Sequence, residues 1–172
     1  ASRDYTPLYD ERRHELAIDF FIHEGGVASA WAMQAQVGDK LTIGGPRGSL
    51  VVPEDYAWQL YVCDESGMPA LRRRLEGLSR LAVRPEVKAV VTIADASYKD
   101  YFAHLEGYNI EWVIGHDGQT VMDKLASVAV PPTDYFIWLT GEGTVVKSLL
   151  EHYATGDIDQ QQVRGQAYWH KK

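Results

Sequence analysis

Residues 58–70 read Trp-Gln-Leu-Tyr-Val-Cys-Asp-Glu-Ser-Gly-Met-Pro-Ala, an apolar strand that runs through a polar turn into a helix. The strand is predicted over residues 58–63 and the helix over residues 69–82. The same succession of strand and helix recurs further along the chain. Strands spaced by helices in this way favour a parallel sheet that is covered on both faces. The predicted fold class is therefore α/β with a doubly wound parallel sheet.

Three more pairs of strand and helix carry this pattern. The strands are predicted over residues 87–94, 110–114 and 135–140, and the helices over residues 98–106, 120–127 and 144–153. In a doubly wound sheet the ligand lies at the carboxyl ends of the strands. The turn at residues 64–66 follows such an end, so it is a candidate nucleotide site.

The first part of the chain has a different pattern. A strand is predicted over residues 16–22, an alanine-rich helix over residues 27–36, and two further strands over residues 40–43 and 49–52. Gly44-Gly45-Pro46-Arg47-Gly48 joins the last two strands. So few strands leave open edges and a thin core. We therefore expect part of an antiparallel β-barrel over residues 1–54 and the parallel-sheet domain over residues 55–172.

The composition excludes several classes of function. With a net charge of -7, the chain lacks the basic surface that nucleic-acid phosphates require, so no nucleic acid is expected. Its single cysteine, Cys63, can form no internal disulfide and no cysteine cluster, so no metal site is expected and a reducing, cytoplasmic location is favoured. Its apolar runs are far shorter than the ~20 residues that span a bilayer, so no membrane span is expected.

Two short runs near the start of the sequence are candidates for a cofactor site. In Arg3-Asp4-Tyr5-Thr6, an arginine suits a pyrophosphate, a tyrosine ring suits stacking on a planar heterocycle, and a hydroxyl suits a ring nitrogen. In His23-Glu24-Gly25-Gly26-Val27-Ala28-Ser29-Ala30-Trp31, small residues let backbone amides at a helix start approach a diphosphate. Together the two runs are candidates for binding a planar ring and a diphosphate.

These runs resemble the motifs of known flavoproteins. The first resembles the Arg-x-Tyr-Thr/Ser signature of ferredoxin-reductase-like proteins, which implies that residues 1–54 are the C-terminal part of an FAD-binding barrel. The second resembles the His-Gly-x-x-Gly-Pro-Ala-Ser-x-Trp-Ala run of the siderophore-interacting proteins, which are FAD-dependent ferric-siderophore reductases. Glu24 and Val27 stand where that run has glycine and proline.

Three later segments extend the resemblance in the order of that family. Residues 64–70 are similar to Asp-Glu-Thr-Ala-x-Pro-Ala, and Thr140-Gly141-Glu142 is similar to Ala-Gly-Glu. Residues 167–172 are similar to a terminal Gly-Tyr-Trp-Arg motif, with His170 in place of the arginine. This terminal motif belongs to the branch of the family that uses a nicotinamide donor.

The resemblance implies a site without a catalytic acid, base or nucleophile, because electrons pass through FAD beside Tyr5 and Thr6. The residues implied to bind FAD are Arg3, Tyr5, Thr6, His23, Gly26, Val27, Ala28, Ser29 and Trp31. Those implied to bind NADPH or NADH are Asp64, Glu65, Ser66, Gly141 and Glu142. Lys171 and Lys172 are expected to steer an anionic ferric siderophore.

The implied function is electron transfer from NADPH or NADH through FAD to ferric iron in a siderophore, which releases Fe(II) for iron assimilation. A flavin is needed because nicotinamide donates electrons in pairs whereas Fe(III) accepts one. Two alternatives stay open: a siderophore reductase that takes its electrons from a ferredoxin, and a non-catalytic flavin- or nucleotide-binding module. The choice between NADH and NADPH is also open, because Asp95 would accept a ribose hydroxyl whereas Ser97 and Lys99 would hold a 2′-phosphate.

Overall fold

The computed structural model describes residues 3–45 and 51–171 and consists of two compact units, Ala1–Pro53 and Glu54–Lys172. The N-terminal unit carries an antiparallel hairpin, in which β1 (Pro7–Asp10) pairs with β2 (Glu15–Ile18). The helix α1 (Val27–Gln34) follows the hairpin.

The predicted strands of this unit are partly wrong. The strand expected over residues 16–22 ends at Ile18, and residues 40–45 and 51–52 form no strand. The remainder of the predicted strand 49–52, together with Pro46-Arg47-Gly48, lies outside the described residues. A strand is defined by its hydrogen-bonded neighbour, and composition alone does not supply one. The sequence does not predict β1, because its four residues begin with proline and show no alternation of apolar and polar side chains.

The C-terminal unit is a five-stranded parallel sheet. Its strands are β3 (Trp58–Cys63), β4 (Glu86–Ile93), β5 (Asn109–Ile114), β6 (Tyr135–Glu142) and β7 (Val163–Trp169). They lie in the order β5-β4-β3-β6-β7. The strand order reverses between β3 and β6, the position at which such sheets open a ligand crevice. We call the border formed by the C-terminal ends of these five strands the carboxyl edge.

Helices connect the strands of this sheet. They are α2 (Met68–Leu78), a 3₁₀ helix (Ala96–Phe102), α3 (Gly118–Leu125) and α4 (Gly143–Tyr153). The predicted helices agree with α2, α3 and α4 in position. The helix expected over residues 98–106 is instead the 3₁₀ helix, which begins earlier in the chain. The Asp95 carboxylate accepts from the backbone N–H and the hydroxyl of Ser97, and this starts a tight turn shortly after β4.

The central strand β3 is buried along its whole length, as its apolar sequence predicts. On one face, Leu60 and Leu139 belong to the core that includes Leu125 of α3 and Leu149 of α4. On the other face, the Tyr61 hydroxyl accepts a hydrogen bond from Arg74 of α2 at 2.8 Å. The parallel sheet with helices on both faces confirms the α/β fold class.

The last strand, β7, is absent from the sequence prediction. It lies at the edge of the sheet, and its residues after Val163 are exposed, so it needs no apolar pattern. Gly165, Gln166 and Ala167 also have low strand propensity. At Gly165 a side chain would meet Leu150 of α4 at 2.7 Å, so glycine lets this helix pack closely on the strand.

None of the helices in residues 3–45 and 51–171 is long and apolar enough to cross a membrane.

Candidate functional site

In the N-terminal unit, the two runs predicted to bind a flavin meet through a third aromatic residue. The ring of Tyr5 packs against Phe20 with centroids 4.7 Å apart, and Phe20 packs against Trp31 at 5.9 Å. Tyr5 remains 40% exposed, so part of its ring is open to a ligand. Partial burial raises the pKa of the Tyr5 hydroxyl, and the positive charge of Arg3 opposes that rise. The hydroxyl is therefore protonated at neutral pH.

The start of α1 has the features of a phosphate site. Gly26 is the N-cap residue, no side chain caps the helix within the described part of the chain, and its first turn carries no acidic residue. A Cβ at Gly26 would lie 2.6 Å from the His23 ring, so glycine brings the backbone close to that ring. Glu24 is exposed, which leaves its carboxylate in solvent. These uncapped amides fit the diphosphate of a flavin dinucleotide.

Ser29 and His23 shape the loop before α1. The buried Ser29 hydroxyl accepts from the backbone N–H of His23 at 3.2 Å and donates to the carbonyl of Phe21 at 3.4 Å. Of the other residues in the FAD prediction, Arg3 and Val27 are exposed, and Thr6 and Ala28 are half-buried. Direct flavin contact by these residues stays a prediction.

In the C-terminal unit, Asp64 accepts four hydrogen bonds at the carboxyl edge. Its Oδ1 accepts from the backbone N–H of Ser66 at 2.9 Å and from the Ser66 hydroxyl. Its Oδ2 accepts from the backbone N–H of Glu142 at 3.0 Å and from the indole Nε1–H of Trp169 at 2.8 Å. Asp64 is only 7% exposed, so these donors replace the water that its carboxylate has lost. The residue therefore joins the ends of β3, β6 and β7.

Gly141 makes room for this carboxylate. Its φ of +137° lies in the region that side-chain-bearing residues avoid, and a Cβ there would be 2.7 Å from the Asp64 Oδ2. The glycine predicted to admit the nucleotide thus admits a buried side chain of the protein itself.

Glu142 caps α4. Its Oε2 accepts from the backbone N–H of Thr144 at 2.8 Å and of Val145 at 3.2 Å, and its Oε1 accepts from the backbone N–H of Lys171 at 3.3 Å. Burial by itself would raise the pKa of this carboxyl, but the hydrogen bonds from Lys171, Val145 and Thr144 outweigh burial and lower the pKa. Glu142 is thus an ionised cap that also holds the residues after β7.

Glu65 joins the ends of β3, β4 and β5. Its Oε1 accepts from the backbone N–H of Ala94 at 2.5 Å, and its Oε2 lies 3.0 Å from the Nε2 of His116. The Glu65 side chain is 5% exposed and the His116 side chain 37% exposed, so the pair links the interior to the surface of the edge.

A small cavity of about 40 Å³ opens among these residues. Its lining includes Thr92, His116, Thr140, Gly141, Trp169 and Lys171. It also includes Cys63, whose thiol pKa burial raises well above its ordinary value, with the negative charges of Asp64 and Glu65 adding to the rise. The thiol is therefore protonated, and Cys63 acts as the buried strand residue that its position in β3 predicts.

The residues after β7 are docked onto the same edge. The His170 ring lies against the start of α4, where a side chain at Gly143 would collide with it. The Lys171 side chain is exposed, while its backbone N–H is bonded to Glu142. Lys172 lies outside the described residues.

Two residues of this edge were missed by sequence reasoning, His116 and Trp169. His116 follows the predicted strand 110–114. Its place at the carboxyl end of a strand is a signal in the sequence that could have identified it as a site residue. Trp169 lay within the terminal motif but carried no assigned role. Its bond to Asp64 spans 105 positions and has no local sequence signal.

The fold is that of the ferredoxin-reductase-like class of α/β proteins. The structure is similar to a ferredoxin–NADP⁺ reductase from Plasmodium falciparum, with a TM-score of 0.77, 12% identity, and coverage of 95% of this chain and 76% of that one. This likeness confirms the predicted fold class.

The chain belongs to the siderophore-interacting protein family. Residues 56–172 match the family model described as siderophore-interacting protein, and residues 1–50 match the siderophore-interacting FAD-binding domain. These matches confirm the predicted family and FAD as its cofactor.

Two relatives illustrate the membership. The chain is 68% identical over 171 residues to the NADPH-dependent ferric-chelate reductase of Escherichia coli strain K12, covering 99% of this chain and 67% of the relative. A siderophore utilization protein from T. fusca has a TM-score of 0.81 at 28% identity, covering 98% of this chain and 66% of that one.

We expect Gly141→Ala to destabilise the protein more than Gly115→Ala does. Both glycines have positive φ, but a Cβ at Gly115 meets nothing within 4 Å, whereas one at Gly141 collides with Asp64. Strain alone costs about 1–3 kcal/mol, and the collision should add at least about 1 kcal/mol. Urea unfolding of both variants measures the difference, and equal losses would contradict the assigned role of Gly141.

The lowered pKa of Glu142 predicts a pH-dependent stability. Glu142→Gln should be less stable than the parent at pH 7, since the ionised cap is fully effective above the unfolded pKa of about 4.3. The difference should shrink as pH falls below that value, because the parent then protonates its carboxyl. Urea unfolding between pH 7 and pH 3 tests this, with the exposed Glu151→Gln as control. If the difference in the free energy of unfolding stays constant with pH, the ionised Glu142 carboxylate does not stabilise α4 as a cap.

Proposed function

We propose that this protein is an FAD-dependent reductase that transfers electrons from NADPH to ferric iron held by a siderophore or a related chelate. The observation that carries the proposal is the 68% identity over 171 residues to an NADPH-dependent ferric-chelate reductase. The chain spans 67% of that relative's length, and the N-terminal match to a siderophore-interacting FAD-binding domain supports the same activity.

In the N-terminal unit, the protein's part is to bind and orient the flavin. Bound FAD would supply the chemistry that links a two-electron hydride donor to Fe(III), which accepts one electron at a time. The exposed part of Tyr5 would stack on the ring system, with Phe20 and Trp31 behind it. Arg3 and the uncapped amides of α1 would hold the diphosphate. Thr6 would place its hydroxyl at a ring nitrogen.

In the C-terminal unit, the carboxyl edge would receive NADPH. Asp64, Glu65 and Glu142 would shape the site without binding the nucleotide themselves, because donors within the protein already bind their carboxylates. No residue has to move a proton at the reacting carbon, since a hydride leaves it directly. One NADPH reduces two Fe(III), so that NADP⁺, two Fe(II) and one proton are the products.

The substrate is inferred from surface charge and from the chemistry of iron. The exposed side chain of Lys171 would attract an anionic chelate despite the net charge of -7. Fe(II) binds hard oxygen ligands less tightly than Fe(III), so reduction would release the iron. A cytoplasmic location stays a prediction.

NADPH is the proposed donor, because the relative that is 68% identical is named an NADPH-dependent ferric-chelate reductase. At the end of β4, the Ser97 hydroxyl donates to Asp95 at 2.6 Å, and the hydrogen bonds from Ser97 lower the pKa of that exposed carboxyl. Asp95 is therefore anionic beside the position where Ser97 and Lys99 would hold a 2′-phosphate. For a 2′-phosphate to bind there, the positive charge of Lys99 must outweigh the negative charge of Asp95.

Steady-state kinetics of the FAD-loaded protein tests the function. With NADPH and a ferric siderophore, we expect about two Fe(II) per NADPH consumed, detected with a ferrous-specific chelator, and slower turnover with NADH. Turnover that requires a reduced ferredoxin would favour the first alternative. Flavin binding without turnover from either donor would leave a non-catalytic module, and the absence of flavin absorption bands after reconstitution would reject both reductase functions.

A further inference from the structure

Trp169 is turned toward the interior of the carboxyl edge by an irregularity in the sheet. β6 and β7 pair in regular register up to Gly141 and Ala167, and then Glu142 lies opposite Trp169, so that Tyr168 is skipped. A bulge of this kind re-aims a side chain, and such bulges are frequent beside active sites. Here it directs the Trp169 indole N–H onto the Oδ2 of Asp64 at 2.8 Å.

The location of Trp169 makes this contact unusual. The residue is the last of an edge strand and 36% exposed, a position at which chains commonly fray. Asp64 binds its indole, and Glu142 binds the backbone N–H of Lys171 two residues further on, so two carboxylates hold this segment. The ring consequently forms part of the wall of the cavity beside Thr140 and Gly141.

Asp64 has no capacity left for a ligand. An ionised carboxylate offers about four acceptor positions, and Ser66 twice, Glu142 and Trp169 already supply four donors. A nucleotide that contacted this carboxylate directly would have to displace one of those donors from a group that is 7% exposed. Any influence of Asp64 on the nucleotide must therefore pass through the groups that it holds.

We propose that Asp64 is a positioning residue that acts through Trp169, and that the Trp169 indole is a wall of the site for one of the planar rings of the nucleotide. The inference rests on the proposed function, because it assumes that NADPH enters at the carboxyl edge. An indole face is the surface on which a planar heterocycle stacks. Asp64 fixes the orientation of that face without touching the nucleotide.

A double-mutant cycle with Asp64→Asn and Trp169→Phe tests the proposal in the FAD-loaded protein. Trp169→Phe keeps an aromatic ring but removes the donor, and it should raise the Kd for NADP⁺, measured by calorimetry, about tenfold. Asp64→Asn should have a similar effect, because its amide presents a donor to the indole or to Ser66. In the Trp169→Phe background, Asp64→Asn should change the Kd less than about twofold. Glu151→Gln on α4 is the charge-matched control and should leave the Kd unchanged.

The cycle separates positioning from mere stability. The KM for NADPH should rise in both single variants while the KM for the ferric siderophore stays constant. Multiplicative effects of the two substitutions on the Kd would overturn the proposal. If Asp64→Asn does not fold, Trp169→Phe decides alone, and a parental Kd for NADP⁺ in that variant overturns the proposal. Failure of the proposed function differs visibly, since the parent protein itself would then neither bind NADP⁺ nor oxidise NADPH.

Discussion

A single buried carboxylate connects the strands on which the candidate site is built. Asp64 follows the central strand β3 and accepts hydrogen bonds from the segment after it, from the end of β6 and from the end of β7. A charge this deeply buried is tolerated only when donors surround it. The need for those donors fixes the local conformation, because Gly141 must be a glycine and β7 must be irregular for them to reach the carboxylate.

The acidic residues of the carboxyl edge share this role. Glu65 binds Ala94 and His116, and Glu142 caps α4 and holds Lys171. The three carboxylates together connect all five strand ends of the sheet. An anionic dinucleotide does not need them as ligands, because donors of the protein already bind their oxygens. They provide a frame at the carboxyl edge, and under the proposed function the exposed backbone amides, hydroxyls and the Trp169 ring would contact the nucleotide.

Much of this arrangement was predictable from the sequence, and the reason for the remainder is physical. The buried strand β3 and the polar turn after it identify the doubly wound sheet and its ligand edge, since both are local patterns. The motifs around Asp64 and Gly141 likewise point to the carboxyl edge, where the structure brings the two residues together. The sequence does not predict that Trp169 binds Asp64. The two residues are 105 positions apart, and a contact over that distance produces no local pattern. The edge strand β7 and the hairpin of β1 were missed for a related reason, since pairing with a neighbour forms them and their composition does not.

A crystal structure of the FAD-loaded protein with NADP⁺ tests most directly whether these carboxylates frame the site or bind the nucleotide. The expected result is that the nucleotide lies along the carboxyl edge with one of its rings against Trp169, while Asp64 and Glu142 keep the donors that they have here. A direct hydrogen bond from the nucleotide to either carboxylate, with the corresponding protein donor displaced, would contradict it.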